Sequence, residues 1–197
     1  MAWDFETDPD FAEQLAWIDA FVRDEVEPLA LVLQSPFDVD NPLNQRFVRP
    51  LQQQVKARGL WACHLGPELG GPGYGQVKLA LMNEILGRSI FAPTVFGCQA
   101  PDSGNAEILA VYGTAEQKAR YLQPLLANDI VSCFSMTEPQ GGADPTTFST
   151  RAVLKGDQWV LNGEKWFATN ARYASFFLVM AVTEPDAPPH RRLSVFI

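Results

Sequence analysis

The sequence predicts an α+β chain, with an all-α domain over residues 1–129 followed by a smaller β domain over residues 130–197. Three observations predict it. Apolar residues recur at helical steps as far as about Asp129, the period shortens towards two after Ile130, and capping and turn signals fall where each kind of element would start or stop. No internal repeat, low-complexity tract or long linker separates the halves, so they are expected to pack directly.

Phe11, Leu15, Ile18, Val22 and Val26 form one stripe that ends near Pro28, where the missing N–H and the ring clash stop a helix. A second helix is expected over Pro50 to Arg58, closed by Gly59 in a left-handed cap. A third runs from about Gln76 to Leu86. Val77, Leu79, Ala80, Leu81, Met82, Ile85 and Leu86 cover so much of its circumference that it is expected to be central. Asn105 to Tyr112 makes a shorter helix, stopped by Gly113. Thr114-Ala115-Glu116-Gln117 then reads as a capping box, in which the threonine hydroxyl accepts from the N3 amide and the glutamine reaches back. The helix it opens carries Tyr121, Leu122, Leu125 and Leu126, with Pro124 bending or ending it.

In the second half, Val131 to Met136, Thr150 to Leu154, Gln158 to Leu161, Glu164 to Thr169, Phe176 to Val182 and Leu193 to Ile197 are strand candidates. Asn162-Gly163, flanked by Trp159-Val160-Leu161 and Lys165-Trp166-Phe167, predicts a type I′ hairpin, and Lys155-Gly156-Asp157 a further turn. These strands would make an open sheet or a partial, barrel-like closure. It is expected to be incomplete at its C-terminal end, because the last strand has no following turn, helix or polar tail. On this reading the chain is a fragment or a partner covers that edge.

Composition narrows the function classes. The 197 residues are 47% apolar and suffice for a packed core. The formal charge of −8, from 23 acidic and 15 basic residues without blocks, offers no basic face for nucleic acid. No apolar run approaches the roughly 20 residues that span a bilayer. The acidic start Met1-Ala2-Trp3-Asp4-Phe5-Glu6 lacks the basic and apolar regions of a signal peptide, so a cytoplasmic location is expected. Cys63, Cys98 and Cys133 include no C-x-x-C pair and read as small buried hydrophobes; with His64 and His190 isolated, no metal site is expected.

Two stretches carry candidate chemistry. Gly66-Pro67-Glu68-Leu69-Gly70-Gly71-Pro72-Gly73-Tyr74-Gly75 has neither the G-x-G-x-x-G nor the P-loop spacing, so a tight surface loop feeding the next helix accounts for it better than a phosphate cradle. Met136-Thr137-Glu138-Pro139-Gln140-Gly141-Gly142-Ala143-Asp144 has more to offer. Pro139 stiffens the turn while two glycines let backbone amides approach an anion or a ring edge, although an ordinary strand-to-loop turn would look the same. Trp166, Phe167 and Thr169 add aromatic surface and a hydroxyl, the combination a flat heteroaromatic cofactor would use; strand aromatics are otherwise core. Glu68, Glu84, Glu107, Glu138 and Glu164 are possible carboxylate bases, with solvated or helix-capping roles commoner; for Glu84 and Glu107 a structural hydrogen bond or ion pair is the default. Neither a G-x-S-x-G elbow nor an H-E-x-x-H motif is present.

Taken together, these segments resemble the acyl-CoA dehydrogenases, flavoproteins built as a helical domain, a central β domain and a C-terminal four-helix bundle. The matching residues are Pro67-Glu68-Leu69-Gly70-Gly71-Pro72-Gly73, Asn83-Glu84-Ile85-Leu86-Gly87-Arg88, Tyr112 to Leu122, the Met136-Thr137-Glu138-Pro139 turn, and Leu161-Asn162-Gly163-Glu164-Lys165-Trp166-Phe167-Ala168-Thr169-Asn170. The resemblance implies FAD as cofactor. It places Phe134, Met136, Thr137, Gly142 and Ala143 at the positions that meet the flavin ring and pyrophosphate, and Phe167, Ala168 and Thr169 in the segment lying against the flavin, with Thr169 near its reactive N5. Two departures stand out: Ala143 replaces the usual serine or threonine, and Phe167 stands where tryptophan is common.

The implied reaction is α,β-dehydrogenation of an acyl-CoA thioester to the trans-2-enoyl-CoA, with electrons passed to an electron-transfer flavoprotein or similar acceptor. The resemblance puts the catalytic base and much of the acyl-CoA pocket in the C-terminal bundle. No residue of this chain is therefore named as catalytic, the chain is expected to be inactive alone, and the full-length form is expected to be a homo-oligomer. Pro101 to Glu107 and Thr183 to His190 look like a branch linked to long or hydroxylated acyl chains. The alternatives are a non-catalytic half-dehydrogenase that binds another chain, and the same scaffold turned to acyl-CoA oxidation or to flavin-dependent nitroalkane or hydroxylation chemistry.

Overall fold

In a computed structural model, residues 7–197 are described; the expectation resting on Met1–Glu6 lies outside them. The chain divides into two compact units, Met1–Asp129 and Ile130–Ile197, the first helical and the second built on a mixed sheet.

The helical unit begins with α1 (Pro9–Phe21), whose N-cap Asp8 accepts from the Phe11 amide at 2.9 Å, satisfying one of the orphan donors of the first turn. The stripe read from the sequence is continuous, but α1 itself stops at Phe21. Val22–Val26 form a π turn and Glu27–Leu31 a 3₁₀ turn, which carry the chain past Pro28 while keeping Val22 and Val26 buried. α2 (Pro42–Ala57) corrects the expected start at Pro50. It opens two turns earlier, where the Asn41 side chain caps the Leu43 amide at 2.9 Å, and it runs through Pro50. The early turns were obscured because Leu43 and Phe47 lie on the exposed face. Gly59, at φ 71°, ends the helix as expected.

α3 (Gly75–Leu86) spans nearly the expected residues but is not central within this chain. Only Met82 and Leu86 are buried, while Val77 is exposed, so its apolar circumference overstated its burial. The loop before it holds a 3₁₀ turn at Pro67–Leu69, and Gly71 packs its α-carbon so closely against the Leu65 carbonyl that no side chain fits. The short α4 (Ala92–Val95) is followed by α5 (Asp102–Tyr112). Thr114 and Gln117 make the capping box in both directions, at 3.2 and 2.9 Å, and open α6 (Ala115–Gln117). A π turn at Lys118–Leu122 absorbs the constraint of Pro124, so the path continues as α7 (Gln123–Ala127) and stops at Asn128, which is left-handed at φ 59°. Phe11, Ile18, Val55, Phe91 and Phe96 are among the buried residues of one apolar core, each fully buried aromatic or aliphatic side chain contributing about 1.5–3 kcal/mol. Glu84 and Glu107 are exposed. Among the described residues no helix is long and apolar enough to cross a membrane.

The second unit holds β1 (Ser132–Ser135), β2 (Arg151–Lys155), β3 (Gln158–Asn162), β4 (Phe176–Val182) and β5 (Leu193–Phe196). They hydrogen-bond in the order β1-β4-β2-β3, with β5 also on β4. β1 runs parallel to β4, pairing Phe134 with Leu178, and β5 runs antiparallel to it. The hairpin expected at Asn162-Gly163 is not formed. β2 and β3 pair instead through Gly156-Asp157, with Lys155 opposite Gln158 and Gly156 at φ 65°. Gly163 is needed for a different reason: a Cβ there would collide with Thr150. Glu164 to Thr169 is correspondingly no strand but an irregular segment, because Phe167 and Asn170 take positive φ angles of 64° and 70° that no strand accommodates.

Candidate functional site

β1 delivers the chain to Met136, and the next residues close on themselves. The Glu138 amide donates to the Gly141 carbonyl and the Gly141 amide to that of Glu138, both at 3.0 Å, around Pro139-Gln140. Gly142 lies against the Thr137 side chain, where a Cβ would sit 2.8 Å from Oγ1, so a larger residue would displace that hydroxyl. Asp144 then accepts from the Thr146 amide at 3.0 Å and its hydroxyl at 2.6 Å, starting the 3₁₀ turn Pro145–Thr147.

The irregular segment after β3 is fastened to this turn. The Trp166 amide donates to the Thr137 carbonyl at 2.9 Å, and Lys165 Nζ donates to the Met136 carbonyl at 2.8 Å. Beyond Trp166 the Ala168 amide bonds back to the Trp166 carbonyl at 2.8 Å, so Phe167 sits at the centre of a three-residue turn of the rare positive-φ kind. A bulky residue in that conformation costs on the order of 1–3 kcal/mol. Burial does not offset it, since Phe167 is 82% exposed, its ring edge-on to Trp166 at 5.9 Å. A strained aromatic held out from the fold has a face to offer a ligand.

Under the turn lies a polar knot that sequence reasoning missed. Glu138, 1% exposed, receives Lys165 Nζ at 2.8 Å and the Thr150 amide at 3.0 Å on Oε1. Its Oε2 receives the Ser149 amide at 2.7 Å, the Ser149 hydroxyl at 2.9 Å and Gln140 Nε2 at 2.6 Å. Burial would raise the Glu138 pKa, but Lys165 and the Ser149 and Thr150 donors outweigh it and hold the carboxyl well below the usual carboxylate range. With its lone pairs filled and its proton gone, Glu138 is a structural anion and not a proton-abstracting base. Lys165 completes the arrangement by lying 4.6 Å over the Phe148 ring. The available signal was one acidic residue before Pro139 and one basic residue before Trp166, 27 positions apart.

Of the residues expected to meet a cofactor, hydrogen bonds and packing bring together Met136, Thr137, Gly142 and the turn carrying Phe167 and Ala168. Phe134 is half-buried in β1, where it pairs with Leu178 of β4, and Ala143 and Thr169 are exposed.

Family comparison agrees with the shape. Residues 10–129 match the acyl-CoA dehydrogenase N-terminal domain and residues 133–197 the acyl-CoA dehydrogenase middle domain. Acyl-CoA dehydrogenase family member 10 of Mus musculus is 36% identical over 186 residues, covering 90% of this chain and 17% of that protein. Family member 11 of the same organism is 40% identical over 154 residues, covering 76% of this chain and 19% of that protein. A solved structure assigned as an acyl-CoA dehydrogenase from Mycobacterium abscessus superposes with a TM-score of 0.82 at 37% identity, covering 96% of this chain and 50% of that one. The chain thus spans under a fifth of these two curated relatives and half of the solved one. With a helical unit and a mixed-sheet unit that each match in sequence, the chain belongs to the acyl-CoA dehydrogenase family.

Proposed function

We propose that the turn 136–144 and the segment 165–169 seat the ring system of FAD, and that the chain serves α,β-dehydrogenation of an acyl-CoA thioester, with an electron-transfer flavoprotein or similar acceptor downstream. The observation that carries this is Phe167: a large aromatic, strained and exposed, hydrogen-bonded through its neighbours to a glycine turn at a strand end. That chemistry suits a flat, polar-edged heteroaromatic group, since the Phe167 ring offers a face, Gly142 leaves room for backbone approach, and Thr137 and Thr169 supply hydroxyls. Bound FAD would accept the hydride leaving the β-carbon of the thioester.

The chain's own residues have the tasks of binding and orientation. Thr137 and the 141–143 amides would hold the ring edge and pyrophosphate side; with alanine at 143, that contribution is an amide without a hydroxyl. Phe167 would shield one ring face from water, and Thr169 would place a hydroxyl at the reactive end. The proton-abstracting carboxylate is not assigned to these residues, and Glu138 is unsuited to it. The test is titration of the purified chain with FAD, followed by absorption and flavin fluorescence. Saturable binding with a structured flavin band supports the reading; an unchanged free-flavin spectrum at high protein concentration contradicts it.

A second reading, an interaction module, is favoured by the β2–β3 hairpin, whose Val153, Leu154, Trp159, Val160 and Leu161 are all exposed. Light scattering after size-exclusion chromatography tests it: self-association supports it, and a stable monomer counts against it.

A further inference from the structure

We propose that Glu138 and Lys165 are a positioning pair, which fixes the Met136–Thr137 peptide against the Phe167 turn so that the seat is assembled before any ligand arrives. The effect on cofactor affinity rests on the flavin reading; the effect on the turn does not. Lys165 bonds both the turn's backbone, at Met136 O, and the buried carboxylate within it, each at 2.8 Å. A peptide group is planar and trans, so anchoring the Met136 carbonyl towards the ammonium directs the Thr137 N–H to the opposite side. The Thr137 carbonyl is held in turn by the Trp166 amide. Two successive peptide planes are thereby set by residues of the segment that presents Phe167.

Stability alone does not account for this design. A buried ion pair recovers little beyond its desolvation cost, and packed apolar residues of the same volume often serve a fold as well. What the pair adds is direction. Glu138 takes five donors from four residues: Gln140, Ser149, Thr150 and Lys165. A rotation of the carboxylate would break several at once, so Lys165 Nζ has one place to be. Pre-ordering a binding loop in this way lowers the entropy lost when the ligand docks.

The test is amide hydrogen exchange on the whole chain without FAD, for wild type, Lys165→Met and Lys165→Arg, followed by FAD titration of each. Lys165→Met removes the charge and keeps the length. It is expected to speed exchange at the Glu138, Gly141 and Trp166 amides at least tenfold, leave the β1–β4 ladder amides unchanged, and weaken FAD binding about 10- to 100-fold. Lys165→Arg keeps the charge but not the compact reach, and is expected to show the same local loss at about three- to tenfold. If Lys165→Met does not fold, Lys165→Arg decides. Faster exchange spread uniformly over the sheet in the variants that fold, or none at the three amides, overturns the proposal. A wild type that takes up no FAD overturns the flavin reading instead, and the exchange pattern still decides the positioning role.

Discussion

The two units of this chain are held together differently. The helical unit is organised by apolar volume: its core runs from Phe11 through Val55 to Phe96, and Gln52 Oε1, Thr94 Oγ1, Gln99 Oε1, Asn128 Nδ2 and both His64 nitrogens are buried without a protein partner, as Asn170 Nδ2 is in the sheet unit. The sheet unit buries fewer apolar side chains and concentrates its order in one fully bonded carboxylate. The difference teaches where directional information lies. Apolar packing tolerates repacking, whereas a polar knot specifies one arrangement, and the candidate cofactor seat is built on the knot.

Breaking the apolar side of the comparison is expected to have the largest effect. Phe91→Ala, at a fully buried position, should cost about 3–5 kcal/mol in urea unfolding followed by far-ultraviolet circular dichroism. The polar side is probed by Glu138→Gln, which leaves Lys165 without its counter-ion and should cost about 3 kcal/mol, seen in the signal of the sheet unit's tryptophans Trp159 and Trp166.

Acid sharpens the contrast. The Glu138 pKa is lowered in the folded chain, so its contribution is complete above the unfolded carboxylate value of about 4.3 and is lost as pH falls below it towards the folded value. Stability measured from pH 6 down to pH 3 should therefore fall less steeply for Glu138→Gln than for wild type, while Phe91→Ala keeps the wild-type slope. An identical slope in all three would place the acid sensitivity elsewhere.

A smaller effect separates stability from function. Phe167→Gly relieves a positive φ that burial does not offset, so it should leave stability unchanged or raise it by up to about 1 kcal/mol, while weakening FAD binding about tenfold. Smallest on this scale is Thr114→Ala, which removes one direction of the capping box and should cost about 1 kcal/mol in the helical unit alone.

Much of the architecture was legible because apolar period and capping chemistry are local. The stripe from Phe11 to Val26, the Thr114–Gln117 box and strands β1 to β5 all follow from neighbouring residues. What failed was governed by distant partners. Asn162-Gly163 carries a hairpin signal, yet its glycine serves the close approach of Thr150, and no local pattern announces that contact. Phe167 and Asn170 lack the glycine that usually marks a positive φ, so a run of aromatic and β-branched residues reads as strand. At the candidate site, Met136 to Asp144 and Trp166 to Thr169 were conspicuous by residue type. The Glu138–Lys165 link beneath them was not, because burial of a charge becomes visible only when its donors are counted in three dimensions.

The central claim, that residues 136–143 and 167–169 form one flavin seat, is tested most directly by following assigned backbone amide resonances of the whole chain as FAD is added. The account predicts the largest shifts at Thr137, Gly142, Ala143, Ala168 and Thr169, with little change in the glycine loop at residues 66–75. Shifts concentrated in that loop or elsewhere in the helical unit, with the 136–143 and 167–169 amides unmoved, would contradict it.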